Sequence, residues 1–441
     1  MASATHGLTD PPAASETLRV VLWILILLAG AEFLLRGPGR YLSEVSNWND
    51  LSQNYTASKL WLKGLSPADP KNFVILWKQE GHSRLDFDDV RTHISPPPGG
   101  LVVLAPVAAL PWRAAKIAWL AILLISFAAT VWALAATSDF RRGDVRTLVF
   151  IAACLALAPF HTGFASGNTS IFVIGLCAIA IWAARQDRDV AAGILFGIAC
   201  AVKPQLGAFL VLYYLVQRRW KLFGTAVGCT AVLNLVAVAY LELRGAPWVQ
   251  DYLNNIRGFV TSNHIDDFTT ENPGRFTLIN LQVPFFSITG SSSSANLLAF
   301  TVAALLVFVW IYWVIRRNGQ PELLALGAIS AVALLPVYHR FYDGALLTVP
   351  LCWCIASAIG PAQSVARTAL LLTTPFLVPG AAFLQRLALR GTVPDPMTRS
   401  WWWNCVVMPH ETWTLVLLFL VLLYGMSSAQ LGMRQQSTQT G

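Results

Sequence analysis

Three clusters of polar residues lie at the ends of long apolar segments, where ionisable side chains are costly and therefore suggest function. The first cluster follows the first apolar segment and contains Asn49, Asp50 and Tyr55. A carboxylate such as Asp50, close to the predicted membrane interface, can act as a general base toward a hydroxyl group. The alternative is that Asp50 is a solvated loop residue that caps a helix.

The second cluster is Lys203-Pro204-Gln205, between two short apolar segments. A lysine at this position can hold a phosphate as a point charge. It can also simply extend its ammonium group to the headgroup level of the bilayer. Asn168, in the turn that follows Gly167, is a weaker candidate for a polar contact with a substrate.

The third cluster is the run from Tyr338 to Asp343, which carries four polar or ionisable side chains between two apolar segments. His339 and Arg340 are candidate anion-binding residues, and Asp343 is predicted to pair with Arg340. Tyr338 and Tyr342 are either substrate contacts or ordinary interfacial aromatic residues. The number of polar groups here exceeds what membrane anchoring needs, which favours a functional site.

Two further polar groups lie in long polar stretches. Asp266 and Arg275 belong to a segment that could bind an acceptor molecule. An acidic group between residues 82 and 93, with two histidines, has the composition of a metal site but not the spacing of a standard one. We interpret that segment as a solvated loop and predict no metal site.

The composition indicates that most of these 441 residues lie in lipid, because 55% are hydrophobic and 12% are charged. Soluble domains typically carry about 25% charged residues. The net charge of +8 does not indicate nucleic-acid binding. The basic residues form short clusters between apolar runs, which is the pattern of the positive-inside rule.

The apolar runs predict an all-α polytopic membrane protein with about twelve transmembrane helices. The predicted spans are residues 18–35, 116–136, 147–160, 169–184, 190–202, 206–216, 222–243, 295–315, 323–337, 345–359, 366–389 and 412–428. Residues 99–110 are too short to cross and are predicted to lie at the interface. The chain then forms one domain, residues 18–428, between polar tails at 1–17 and 429–441.

The short basic loops predict the orientation. Four of them, at residues 141–146, 185–188, 218–221 and 316–317, fall on one face in the twelve-span arrangement. That face should be cytoplasmic. The long loops, residues 36–98 and 244–294, and all three polar clusters are then extracytoplasmic.

In this order, the clusters resemble those of glycosyltransferase family 87. These are polytopic, GT-C-type enzymes that use polyprenyl-phosphate sugars and include bacterial mannosyltransferases and arabinofuranosyltransferases. The resemblance extends from about Asn47 to Leu351 and is carried by Asp50 with Tyr55, Gly64 and Pro67, by Pro97-Pro98, by Ser166-Gly167-Asn168, by Ala192-Gly193 before Lys203-Pro204-Gln205, and by residues 335–343. It departs at Leu51, where the family commonly has an aromatic residue.

The resemblance implies a GT-C-like bundle in a bacterial inner membrane, with the active site on the extracytoplasmic face. It implies inverting transfer of mannose, or another hexose or pentofuranose, from a polyprenyl-phosphate donor to an envelope glycolipid or polysaccharide, without a cofactor. Asp50 is the implied general base, and Lys203, His339 and Arg340 are implied to bind the donor phosphate. The residues expected to contact substrate are Asn49, Tyr55, Asn168, Gln205, Arg275, Tyr338, Tyr342 and Asp343.

A transporter or flippase of a lipid-linked or anionic substrate is the main alternative. It would place polar residues near the middle of its spans and would show internal symmetry. Here the polar clusters gather at one predicted face together with the long loops, which favours an interfacial enzyme. A structural membrane protein would not require the same clustering.

Overall fold

The computed structural model describes residues 16–43, 50–80, 97–140, 143–259, 266–316 and 321–439. Of residues 255–259 and 429–439 it describes the backbone alone. Within these ranges the chain is helical and contains no β-strand; one isolated antiparallel bridge joins Leu278 and Arg340. The predicted all-α class is confirmed. Asn49 and the acidic group between residues 82 and 93 lie outside the described ranges.

The described helices differ widely in length, and short turns interrupt several of them. In the first half they are α1 (Glu16–Leu34), α2 (Arg40–Ser43), α3 (Asp50–Leu62), α4 (Pro70–Gln79), α5 (Pro98–Ala108), α6 (Trp112–Thr137), α7 (Val145–Ala156), α8 (Ala158–Ser166), α9 (Thr169–Arg185), α10 (Asp189–Val202), α11 (Pro204–Val216) and α12 (Trp220–Leu243). In the second half they are α13 (Trp248–Phe259), α14 (Gln282–Thr289), α15 (Ser292–Arg316), α16 (Glu322–Ala333), α17 (Thr348–Ala356), α18 (Gln363–Thr373), α19 (Gly380–Leu389), α20 (Asp395–Thr398) and α21 (His410–Gln439).

Five described helices are long and apolar enough to cross a membrane: Glu16–Ser43, Trp112–Thr137, Trp220–Leu243, Ser292–Arg316 and His410–Ser428. Two bent pairs raise this number to seven if each forms one span: α7 with α8, and α18 through Leu377 with α19. Six further apolar helices have 10–17 residues. Each of the twelve predicted segments coincides with one of these elements, but the count of twelve crossings stays a prediction.

The exposed faces of the long helices are apolar. Leu27 on α1, Leu235 on α12 and Phe308 on α15 are 70%, 65% and 68% exposed, respectively. Such faces suit contact with lipid, because a bilayer offers no hydrogen bonds and tolerates only apolar surfaces and internally bonded backbone. Helices α9, α16 and α17 are largely buried behind them.

Small residues allow the central helices to approach closely, as is common between membrane helices. A Cβ atom on Gly197 of α10 would lie 2.5 Å from Cys229 Cβ and 2.8 Å from the carbonyl oxygen of Ala226, both on α12. On Gly193, one turn earlier, it would lie 2.6 Å from Thr225 Cβ. This contact fixes α10, and therefore the position of the residue that follows it, Lys203.

The two long polar stretches of the sequence contain short helices. Residues 36–98 include α2, α3 and α4, and residues 244–294 include α13 and α14. Helix α5 has 11 residues, which corresponds to about 16 Å and is too short to cross a hydrocarbon core of about 30 Å alone. Three points stay predictions: that α5 lies at the interface, that the chain forms one domain with two tails, and that the long loops are extracytoplasmic.

Candidate active site

Asp50 begins α3 and is oriented by a residue from a distant part of the chain. The Asn168 amide nitrogen donates a hydrogen bond of 2.6 Å to Asp50 Oδ2. Asn168 is held in place because α8 ends at Gly167 in the left-handed region, with φ of 65°. It then caps α9 by accepting from the Ser170 backbone N–H at 2.8 Å. The cap fixes the amide that faces the Asp50 carboxylate.

A chain of polar contacts continues from Asn168 into the interior. The Ser170 hydroxyl lies 2.5 Å from Asn168 Oδ1 and 2.5 Å from Asp343 Oδ1. The Lys203 ammonium group donates to Ser170 Oγ at 2.7 Å and to Asp343 Oδ1 at 2.5 Å. Four separate segments of the sequence therefore meet in one hydrogen-bonded network that ends at Asp50.

The sequence around Lys203 explains why its side chain reaches this network. Pro204 disfavours helical backbone at the preceding residue, and Lys203 accordingly adopts φ of −148° and ψ of 80° between α10 and α11. The break turns Lys203 inward, where it is 9% exposed. Its ammonium group also lies 5.0 Å from the centre of the Tyr342 ring.

Asp343 is 1% exposed and is held by the start of a 3₁₀ segment, Phe341–Leu347. Its Oδ2 atom lies 2.9 Å from His339 Nδ1 and accepts the Arg340 backbone N–H at 3.4 Å. The sequence predicted that Asp343 pairs with the Arg340 side chain. Its side-chain partners are instead Lys203, His339 and the Ser170 hydroxyl, and Arg340 Nε donates to Asp266 Oδ1 at 3.0 Å.

Arg340 points to a cavity of about 430 Å³ beside the network. The cavity is lined by Arg40, Thr162, Ala165, Ser166, Thr277, Arg340, Phe341, Tyr342, Pro379, Ala381, Ala382 and Glu411. Burial alone would lower the pKa of Arg340, but the nearby acidic groups of Tyr342, Asp266 and Asp50 raise it above its usual range. The cavity therefore contains a permanent positive charge close to Asp50.

A second, apolar cavity of about 540 Å³ is formed largely by α1, α7 and α18. Its lining residues are Leu22, Leu25, Ala29, Val149, Ala152, Ala153, Ala156, Leu157, Leu351, Arg367, Leu370, Leu371, Thr373, Thr374 and Leu377. The segments that follow α1, α7 and α18 along the chain contribute Arg40, residues from 162–166 and residues from 379–382 to the polar cavity, and the rest of the polar lining comes from Thr277, residues 340–342 and Glu411. Three parts of the chain therefore contribute to both cavities.

A sequence model of glycosyltransferase family 87 matches residues 97–338, more than half of the chain. The chain belongs to glycosyltransferase family 87. It is 27% identical over 259 residues to an alpha-(1->3)-arabinofuranosyltransferase of Mycolicibacterium smegmatis, covering 56% of this chain and 52% of the relative. A protein of the same description from Mycobacterium tuberculosis is 28% identical over 188 residues, covering 38% and 42%. The chain thus spans about half the length of these relatives. No solved structure matches it.

Within this family 87 chain, the other residues predicted to contact substrate lie in different surroundings. The Tyr55 hydroxyl is buried in contact with Lys59, Glu80 and the carbonyl oxygen of Leu110, away from the cavity lining. Arg275 is 7% exposed, and its guanidinium lies against the Phe276 and Phe286 rings. Burial lowers its pKa.

Gln205 and Tyr338 are half-buried. Gln205 lies two residues after Lys203, and Tyr338 directly precedes His339. Of the three residues expected at the donor phosphate, the structure places Arg340 at the polar cavity and buries Lys203 and His339 in the network behind Tyr342. No group of three or more metal-ligating side chains occurs among the residues described. The roles of all these residues, and the absence of a cofactor, stay predictions.

Sequence reasoning missed Ser170, Arg40 and Glu411. Ser170 could have been found as a hydroxyl in the first turn of an apolar helix, next to the Asn168 cap. Glu411 could have been found because an acidic residue at the start of an apolar segment is costly. Arg40 carries no such signal, since arginines are common where a first span ends.

Proposed function

We propose that this family 87 protein is a membrane glycosyltransferase. It moves a sugar from a polyprenyl-phosphate donor to an envelope glycolipid or polysaccharide on the extracytoplasmic face, with inversion at the anomeric carbon. The observation that carries the proposal is the Asp50 carboxylate, which Asn168 orients and which lies near Arg340, a residue on the wall of the polar cavity. Membership of this family favours the transferase over a transporter.

Asp50 acts in this proposal as the general base. Its carboxylate takes the proton of the acceptor hydroxyl while the hydroxyl oxygen attacks the anomeric carbon. The bond between that carbon and the phosphate oxygen breaks, and polyprenyl phosphate leaves with the bonding electrons. Attack opposite to the leaving group inverts the configuration. Asn168 holds Oδ2, and a carboxylate has about four lone-pair positions, so acceptor capacity remains for the hydroxyl.

The cations have two different tasks in the proposed mechanism. Arg340 contacts the phosphate, because a guanidinium matches phosphate oxygens with two parallel hydrogen bonds and stabilises the charge that develops on the leaving group. Lys203 instead compensates the buried Asp343 carboxylate and fixes Ser170 and Asn168. Lys203 is then a positioning residue that acts through Asn168 on Asp50.

The two cavities support a donor that carries its sugar on a lipid. An isoprenoid chain must remain in an apolar environment, and the lining of the apolar cavity is almost entirely aliphatic. The phosphate and sugar of the donor need polar partners, and the polar cavity provides Arg340 and hydroxyl groups. A ligand with an apolar tail and an anionic head matches this pair of surfaces.

Arabinofuranose is the sugar to test first, since the curated relatives are described as arabinofuranosyltransferases. Mannose is the comparison donor that the family resemblance implies. The experiment uses purified protein in lipid vesicles with polyprenyl-phosphoryl arabinofuranose, the mannose equivalent and an envelope-lipid acceptor fraction. Release of polyprenyl phosphate is followed by mass spectrometry.

The decisive comparison is between Asp50→Asn and a matched control, Asp69→Asn. Asp69 caps α4 by accepting the Lys71 backbone N–H at 2.9 Å, a task that asparagine performs as well. We expect Asp69→Asn to keep wild-type activity and Asp50→Asn to lose about 100- to 10,000-fold, the typical contribution of a general base. Full activity of Asp50→Asn would exclude Asp50 as the base.

A further inference from the structure

Glu411 lies on the wall of the same cavity as Arg340 but comes from the last helix of the chain. It occupies the first turn of α21 and is 2% exposed. It lies outside residues 97–338, which the family 87 match covers. The proposed base and phosphate contacts also leave it without a task.

The contacts of Glu411 do not exhaust its hydrogen-bonding capacity. Its Oε1 atom accepts the Ala381 backbone N–H at 3.2 Å and lies 3.8 Å from His410 Nε2. The beginning of α19 approaches closely, because a Cβ atom on Gly380 would lie 2.5 Å from His410 Nε2. A carboxyl group offers about four lone-pair positions. Positions therefore remain for a ligand in the cavity.

The polar groups of the cavity wall differ in chemistry. Arg40 and Arg340 are cations that suit a phosphate, whereas Glu411 is the single carboxyl group among the described residues that line this cavity. A carboxyl group is a poor neighbour for a phosphate but a good acceptor for a hydroxyl. A hydroxyl buried without a partner loses the hydrogen bonds that it makes in water, so a cavity that receives a sugar must supply such acceptors.

We propose that Glu411 accepts a hydrogen bond from a hydroxyl of the donor sugar and thereby determines which sugar is used. This inference rests on the proposed function. It assigns the cavity to the sugar phosphate of the donor, with the cations toward the phosphate and Glu411 toward the sugar. It also gives the C-terminal helix a role in specificity. The competing explanation is that Glu411 only caps the beginning of α19.

The test measures dissociation constants for polyprenyl-phosphoryl arabinofuranose and each of its singly deoxygenated analogues in nanodiscs, for wild type and Glu411→Gln. Glutamine can still accept the Ala381 N–H through its carbonyl oxygen, so the cap is retained. Its other polar atom cannot accept a sugar hydroxyl. Glu322→Gln is the matched control, because Glu322 is a half-buried carboxyl group that accepts a hydrogen bond from the Tyr214 hydroxyl and is not part of the cavity lining.

We expect Glu411→Gln to weaken binding of the parent donor by about tenfold, the loss of one hydrogen bond to a carboxylate. One deoxygenated analogue should bind wild type and Glu411→Gln equally, because it lacks the hydroxyl that Glu411 accepts. Equal weakening for all donors, or lowered thermal stability with unchanged affinity ratios, would overturn the inference and leave the proposed function intact. If wild type binds no polyprenyl-phosphate sugar and transfers no sugar, both proposals fall.

Discussion

Lys203→Met is the variant that best separates the two roles available to this lysine, which are to compensate the buried Asp343 carboxylate or to bind the donor phosphate. The Lys203 and Asp343 side chains are 11% and 1% exposed and lie 2.5 Å apart. Removing one partner of a buried ion pair typically costs about 3–5 kcal/mol, because the remaining charge stays buried and loses its counter-charge. Neither side chain is exposed enough for solvent to screen this effect. Lys203→Met should therefore lower the free energy of unfolding by about 3–5 kcal/mol.

The measurement is reversible unfolding in mixed micelles, followed by tryptophan fluorescence, for Lys203→Met, Asp343→Asn and the double variant. Because each single change breaks the same pair, the double variant should be less destabilised than the sum of the two. We expect a coupling of about 2 kcal/mol or more. Arg340→Gln is the comparison for phosphate binding and should raise the donor KM and also lower kcat, because the leaving phosphate loses its stabilising cation. Unchanged stability of Lys203→Met with a raised donor KM would refute the structural role and return Lys203 to the phosphate.

Two further expectations concern the parts that position the site. Asn168→Ser should lower kcat by about 10- to 100-fold with little change in the donor KM. The reason is that serine can still cap α9 but is too short to hold Asp50. A kcat equal to that of wild type would mean that Asp50 does not need the contact with Asn168. Gly197→Ala should destabilise the protein by about 1–3 kcal/mol through overpacking against α12, measured by the same unfolding assay. Gly224→Ala, whose Cβ would meet no atom within 4 Å, is its control and should be neutral or slightly stabilising.

The sequence was sufficient to find the segments of the fold, because apolar runs record contact with lipid or core. Each predicted span coincides with a helical element. The sequence was not sufficient to predict how many of these helices cross the membrane. Helices α10 and α11 have 14 and 13 residues, and their apolar faces pack on other helices. Hydrophobicity alone does not distinguish a short buried helix from one that faces lipid.

The sequence also predicted that Asp50, Lys203 and His339 lie at the same face of the membrane, because each follows or precedes an apolar segment there. Their pairing could not be predicted, because it depends on backbone directions. The extended backbone of Lys203 and the 3₁₀ segment after Arg340 decide that Lys203 meets Asp343.

The arrangement of charges has a consequence for how the site discriminates between ligands. Asp343 is held from two sides, by the Lys203 ammonium group and by His339 Nδ1, so Lys203 is not free to attract a second anion without exposing the carboxylate. Arg340 is paired with Asp266. In the proposed mechanism the donor phosphate replaces the Asp266 carboxylate as the partner of Arg340, which costs little because one anionic group is exchanged for another. Electrostatic recognition of the donor then rests on Arg340, close to the proposed base, and the buried network holds Asp50 in one orientation while the donor exchanges.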